Sequence, residues 1–280
     1  MSNRHTARAP RRPESRDVVE LNALRVRSPE LAPAVDLQLA TLDLFRRAQA
    51  RVPLPPQLDL DRFEAALASG RAVLRFADVP FEWSDYRWVL RETADLLQRF
   101  ELIDGAAHAA LLAVTRDGNA LVPRVETWFA VAVEGHPGDV PEFAEIYEQA
   151  MRPFLARCAS AWAPRLHSLS WDLGTCPICA GSPELAILGA DGTRRLSCGR
   201  CTARWAGPRE RCPWCGEARA DFHTTLSTPD GSYLLDACDT CRRYVKCCDE
   251  RALRRPVLPW VDVVATMPLD VAAMQRGYEA

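Results

Sequence analysis

CPICAGSPELAILGADGTRRLSCGRC, residues 176–201, holds two Cys-x-x-Cys pairs with a β-prone stretch between them, and CPWCGEARADFHTTLSTPDGSYLLDACDTC, residues 212–241, repeats the arrangement. Two residues between cysteines let the backbone curl so that both sulfurs face one point, and two such pairs complete a tetrahedron. The intervening segments supply the return path. Residues 185–188 and 193–198 flank Gly189-Ala190-Asp191-Gly192; residues 221–227 and 232–238 flank Thr228-Pro229-Asp230-Gly231. Asp-Gly between β-prone runs is a hairpin signal. The spacing therefore groups Cys176, Cys179, Cys198 and Cys201 around one ion, and Cys212, Cys215, Cys238 and Cys241 around another. Crossed pairing between the two modules needs longer closures and ranks second.

Eleven cysteines in 280 residues need a compartment before they can be read. The N-terminal MSNRHTARAPRRPESRD carries Arg11-Arg12, but Pro13, Glu14, Arg16 and Asp17 follow and no apolar run appears. Residues 1–18 are expected to be a disordered leader and the protein cytoplasmic. A reducing compartment disfavours disulfides, so the clustered thiols point to metal or redox chemistry. No apolar run reaches the ~18 residues of a membrane span. Each module is too small to fold by apolar burial alone, and a structural zinc contributes about 10–16 kcal/mol in small peptides. The expected cofactors are two metal ions, iron of the rubredoxin type or zinc.

The rest of the chain reads as helical. The segments 34–50, 59–70, 84–103, 105–118, 125–135 and 141–162 carry helical spacing, broken by Pro53, Pro55 and Pro56. Ser84 is placed to cap its helix, Pro141 to open the last one, and Pro153 to kink it. His108 reads as a packed or surface histidine, and Cys158 as a buried structural thiol; Cys158 with His167 is a weak nucleophilic pair. Trp205 and Tyr244 are expected to cover the small module cores. Gly216 follows its knuckle directly, whereas Ala180 displaces Gly181 by one position in the first module. Cys247 and Cys248 read as spare or reactive thiols.

The fold class is thus multi-domain, α plus small β. A leader (1–18) precedes a helical domain (19–170), two four-cysteine rubredoxin- or zinc-ribbon-like modules (171–207 and 208–250), and a docked helical tail (251–280). Composition is ordinary for a globular protein, 48% hydrophobic and 26% charged with net charge −2. Residues 176–248 hold ten Arg and Lys against eight Asp and Glu. Eight thiolates and two divalent ions leave that stretch net negative, a poor footprint for phosphate. A nucleic-acid-binding zinc ribbon is therefore the third choice, behind a rubredoxin-like electron carrier and a protein-binding accessory factor.

Resemblance orders the last two. C-P-I-C at 176–179, L-S-C-G-R-C at 196–201 with Trp205, C-P-W-C-G at 212–216, C-D-T-C-R-R-Y-V-K at 238–246 and the tail at 262–278 resemble the formate dehydrogenase accessory protein family, FdhE. The resemblance covers residue 18 to the end, the helical half only in general character. It implies a cytoplasmic maturation factor, a chaperone-like protein that binds the catalytic subunit of formate dehydrogenase and whose modules can hold iron. The eight cysteines carry over one for one as metal ligands. No catalytic residue carries over, so the expectation is a non-enzyme with a protein partner, no nucleic acid, and a homodimer left open.

Overall fold

The computed structural model describes residues 14–80, 82–166, 171–208, 211–218 and 223–279. His167 and residues 1–13 of the expected leader lie outside these. The described residues form an α-helical half and one six-stranded sheet, followed by a helical tail.

The helical half begins at Arg16, inside the segment expected to be a disordered leader, with a first helix not among the helical segments read from the sequence. α1 (Arg16–Arg27) and α2 (Ala32–Gln49) pack Leu21, Leu24, Val35 and Leu42 against one another. α3 (Leu60–Ala68) is capped by Asp59, which accepts from Arg62 N at 3.2 Å. α4 (Trp83–Arg99) starts one residue before Ser84, so Ser84 lies inside the first turn and its capping role is not realised. α5 (Gly105–Arg116) is capped by Asp104, and α6 (Gly118–Ala132) by Asp117. α7 (Ala144–Leu166) continues through Pro153 and Pro164; its first turn opens at Ala144, with Pro141 in the preceding turn. His108 on α5 bonds Asp95 on α4 at 2.6 Å, within the packed or surface reading given for it. The core of this half is Tyr86, Leu90, Leu121, Trp128, Phe129, Tyr147 and Phe154, each at most 2% exposed.

Both expected hairpins form. β1 (Pro183–Leu188) pairs antiparallel with β2 (Arg194–Cys198), and β4 (His223–Ser227) with β5 (Tyr233–Cys238). Each turn uses its Asp-Gly the same way. Asp191 accepts from Thr193 N and Asp230 from Ser232 N, while Gly192 and Gly231 sit at φ +76° and +70°. Two further strands were not read from the sequence, β3 (Arg204–Ala206) and β6 (Tyr244–Asp249). β6 closes the second hairpin and also pairs, parallel, with β1 of the first. The order β3-β2-β1-β6-β5-β4 makes one continuous sheet from both cysteine segments.

Cys247 and Cys248 sit on that seam, opposite Ala186 and Ile187. Successive strand residues face opposite sides. Cys247 accordingly joins the main core, and Cys248 packs with Leu185, Ile187 and Val257. Burial raises both thiols, Cys247 to about 12. They are core residues of the seam, which corrects their reading as spare or reactive thiols: a thiol held protonated and out of solvent is a poor nucleophile.

The tail runs through α8 (Glu250–Leu253), α9 (Pro259–Ala265) and α10 (Met267–Met274). α9 packs Val261 and Val264 on α1 and α2, and Trp260 meets Phe45 edge-on at 5.0 Å. Its buried Asp262 accepts from Tyr233 Oη at 2.8 Å, from both Arg255 Nη atoms and from Leu258 N. On α10, Asp270 takes Tyr244 Oη and Lys246 Nζ, each at 2.8 Å. The tail is thus clamped to β5 and β6 by two carboxylates, Asp262 buried and Asp270 half-buried.

Asp262→Ala leaves Arg255 and the Tyr233 hydroxyl without their buried partner. The expected loss is about 3–5 kcal/mol of unfolding free energy, read as a lower urea midpoint at unchanged slope.

Candidate metal centres

The four Cys-x-x-Cys turns are built alike. In each, the N–H four residues after the first cysteine donates to that cysteine's carbonyl: Ala180 to Cys176, Thr202 to Cys198, Gly216 to Cys212 and Arg242 to Cys238, at 2.8–3.2 Å. The first cysteine's own N–H donates five residues on, to Gly181, Ala203, Glu217 and Arg243. This loop requires a left-handed residue just after the second cysteine. The φ values there are +55° at Ala180, +64° at Thr202, +74° at Gly216 and +61° at Arg242. Glycine occupies it without penalty only once; elsewhere the chain accepts roughly 1–2 kcal/mol of strain. Gly181 serves another need. A Cβ there would lie 2.8 Å from Cys198 Sγ and 3.3 Å from Cys179 Sγ, so only glycine lets the chain pass the sulfurs. The displaced glycine therefore fits the sulfur cluster.

The sulfurs converge in two groups. Cys176, Cys179, Cys198 and Cys201 form one; Cys212, Cys215, Cys238 and Cys241 form the other, with all ligand atoms of a group within 4.8 Å of one another. Cys176–Cys201 is 3.6 Å, Cys179–Cys198 3.5 Å, and Cys212–Cys241 and Cys215–Cys238 are both 3.7 Å. A tetrahedral ion about 2.3 Å from each sulfur needs edges of about 3.8 Å. The separations fit such an ion and are far too long for disulfides. Both groups can hold a metal, and the within-module grouping is the one realised.

Without a cation the thiols cannot all ionise together. Burial pushes Cys176 and Cys201 well up. Burial also acts to raise Cys198, but hydrogen bonds from Cys176, Cys179 and Cys201 outweigh it and hold that thiol well down. In the second group burial raises Cys212 to about 12, while bonds from the N–H groups of Cys241 and Thr240 and from Cys212 and Cys215 overcome burial to lower Cys238. A divalent ion supplies the charge that lets four sulfurs stay deprotonated. Backbone N–H groups assist: Arg200 N and Cys201 N reach Cys198 Sγ at 3.3 and 3.4 Å, and Trp214 N reaches Cys212 Sγ at 3.4 Å.

The two centres differ in setting. The first is sealed into the helical core, and all four cysteines are buried. Val73 N and Leu74 N donate to Pro177 O and Ile178 O at 3.0 Å, so the chain after α3 runs along the first knuckle. Arg200, inside the second knuckle, donates to Glu148 on α7 at 2.9 Å, to Ala132 O on α6 at 2.8 Å and to Cys179 O at 3.0 Å. It also lies over the Trp128 ring. Spacing gave no signal for this residue, because its partners lie far away in sequence. Cys158 on α7 is buried against Asp78 O and raised to about 12, the structural thiol expected. Trp205 is buried in the same core and donates to Leu173 O.

The second centre is open. Cys215 is exposed and Cys241 half-exposed. Its outer knuckle is held by the end of the tail. Tyr278 Oη donates to Asp239, Arg242 lies 3.9 Å from the centre of the Tyr278 ring, and Glu279 exchanges backbone bonds with Arg242 O and Tyr244 N at 2.8 and 3.0 Å. Tyr244 covers the small core of this module together with Leu235, Leu269 and Tyr278.

With this geometry in place the chain can be set beside known proteins. No family model matches it. A protein from Erwinia tasmaniensis described as an FdhE homolog is 27% identical over 104 residues, 37% of this chain and 33% of that protein. The match thus spans about a third of the curated relative. The crystal structure of the FdhE protein from Pseudomonas aeruginosa superposes with a TM-score of 0.61 at 21% identity, covering 96% of this chain and 94% of that one. The chain resembles FdhE in sequence over part of its length and in fold over nearly all of it.

A chelator added to metal-loaded protein should strip the two centres in separate phases, the open one first. Cys215→Ser should abolish only the fast phase. Lowering the pH should speed both, because each sulfur must be deprotonated to bind and protons compete for it. Arg200→Met should cost about 2–4 kcal/mol of stability and accelerate metal loss from the buried centre alone.

Proposed function

We propose that this protein is a maturation factor for formate dehydrogenase, a non-enzymatic binding protein that acts on the catalytic subunit in the cytoplasm. The observation that carries the reading is the likeness to FdhE in both sequence and fold, together with two four-cysteine groups. No helix among the described residues is long and apolar enough to cross a membrane, so nothing in these helices conflicts with a client met in solution.

The eight cysteines are the proposed ligands of two ions, iron or zinc. When bound, the ions supply charge and crosslinks, and iron would add one-electron chemistry that zinc lacks. The chain's own residues do the rest. Arg200 and Trp214 orient the knuckles, the α7 core seals the first centre, and the tail holds the second at the surface. The exposed Cys215 favours a version in which the open centre exchanges electrons with the client. Visible absorption and electron paramagnetic resonance on anaerobically purified protein test it; a colourless, zinc-only protein with full activity overturns the redox version.

Deleting the gene should abolish or sharply lower formate oxidation by the host, with full recovery on re-expression. Co-purification from native cells should recover the catalytic subunit and two metal equivalents. Unchanged formate oxidation in the deletion strain would overturn the maturation reading.

A further inference from the structure

A cavity of about 330 Å³ lies between α2, α4, α7 and α9, and none of the cysteines lines it. Its walls are mostly apolar, with Leu44, Phe45, Val89, Leu97, Trp260 and Val263 among them and Gln38, Thr41, Thr93 and Gln149 as neutral polar groups. Its volume falls in the range that takes small organic ligands. The ionisable groups on its lining are Arg152 of α7 and Glu184 of β1, one of each sign.

These two charges attract one another but do not touch. Among the described residues no ion pair joins them, and Arg152 forms none with any other carboxylate. Arg152 Nη1 donates to Gln149 Oε1 at 3.1 Å, and its guanidinium lies 5.1 Å from the centre of the Trp260 ring. Its Nε is shielded from solvent and has no hydrogen-bond partner. A buried donor left unmade costs about 1–3 kcal/mol, and native proteins keep few of them. Glu184 is half-buried, and burial raises its carboxyl against the pull of Arg152 and Lys246. An apolar chamber with an unpaired cation and an unpaired acid is unusual for a purely structural interior.

The two charges define what fits. A simple carboxylate would satisfy Arg152 but meet Glu184; a simple amine would satisfy Glu184 but meet Arg152. A molecule carrying both charges beside an apolar group satisfies both. We infer that this cavity binds a large apolar α-amino acid, its carboxylate on Arg152, its ammonium on Glu184 and its side chain against the Phe45, Val89 and Trp260 wall. No metal-ligand cysteine lines the site, although Glu184 packs beside Gly199, next to Cys198, and the assignment is independent of the maturation reading.

Isothermal titration of the metal-loaded full-length protein tests this with L-leucine, L-phenylalanine and L-tryptophan, alongside 3-phenylpropionate and phenethylamine. At least one amino acid should bind, at least tenfold tighter than the acid or the amine alone. Arg152→Gln and Glu184→Gln should each weaken it tenfold or more, with metal content and circular dichroism unchanged. Leu97→Phe, which fills the chamber and leaves both charges, should block it. Absence of heat with all three amino acids at millimolar concentration overturns the assignment. So does equal binding of the acid or the amine, or binding that survives Leu97→Phe.

Discussion

Convergence of four sulfurs on one point is the constraint from which this architecture follows. It fixes the knuckle backbone so tightly that Ala180, Thr202 and Arg242 adopt left-handed conformations usually left to glycine. It forbids a side chain at position 181. It also aims the residues between and beside the cysteines. Arg200 is thrown against α6 and α7, and Arg242 against the end of the tail. The knuckles therefore serve as anchor points for both neighbours of the sheet as well as ligand holders.

The two centres divide in character because of what those anchors meet. The first meets a helical core rich in aromatic residues, and its cysteines become part of that core. The second meets a short tail and solvent. The same ligand set, folded with the same backbone bonds, thus gives one sheltered and one accessible centre. Charge does not follow that division: in each group burial raises two thiols while hydrogen bonds overcome it to lower a third, Cys198 in the first and Cys238 in the second.

What the sequence disclosed was local. The Cys-x-x-Cys spacing, the Asp-Gly turns and both hairpins are decided within a few residues, and each could be read. Most helices were equally plain, but α1 was not read, and starts were misplaced at Ser84, at Pro141 and at residue 125, where α6 already begins at Gly118. What stayed hidden was long-range. The parallel pairing of β1 with β6 joins segments whose own patterns name no partner, so Cys247 and Cys248 looked surplus until the seam placed them on its two faces. The contacts of Arg200 were hidden for the same reason, since its partners on α6 and α7 lie far away in sequence. The cavity charges Arg152 and Glu184 come from different elements, and no spacing rule connects them.

The seam also has a temporal side. β1 leaves the ribosome with its hairpin partner β2 close behind, but its other neighbour, β6, is synthesised only at the end of the second module. Until then one margin of the first hairpin offers unpaired N–H and carbonyl groups, the kind of margin that recruits foreign strands. A translational pause between the two modules would prolong that vulnerability, so the yield of soluble protein should depend on how quickly the ribosome crosses this interval.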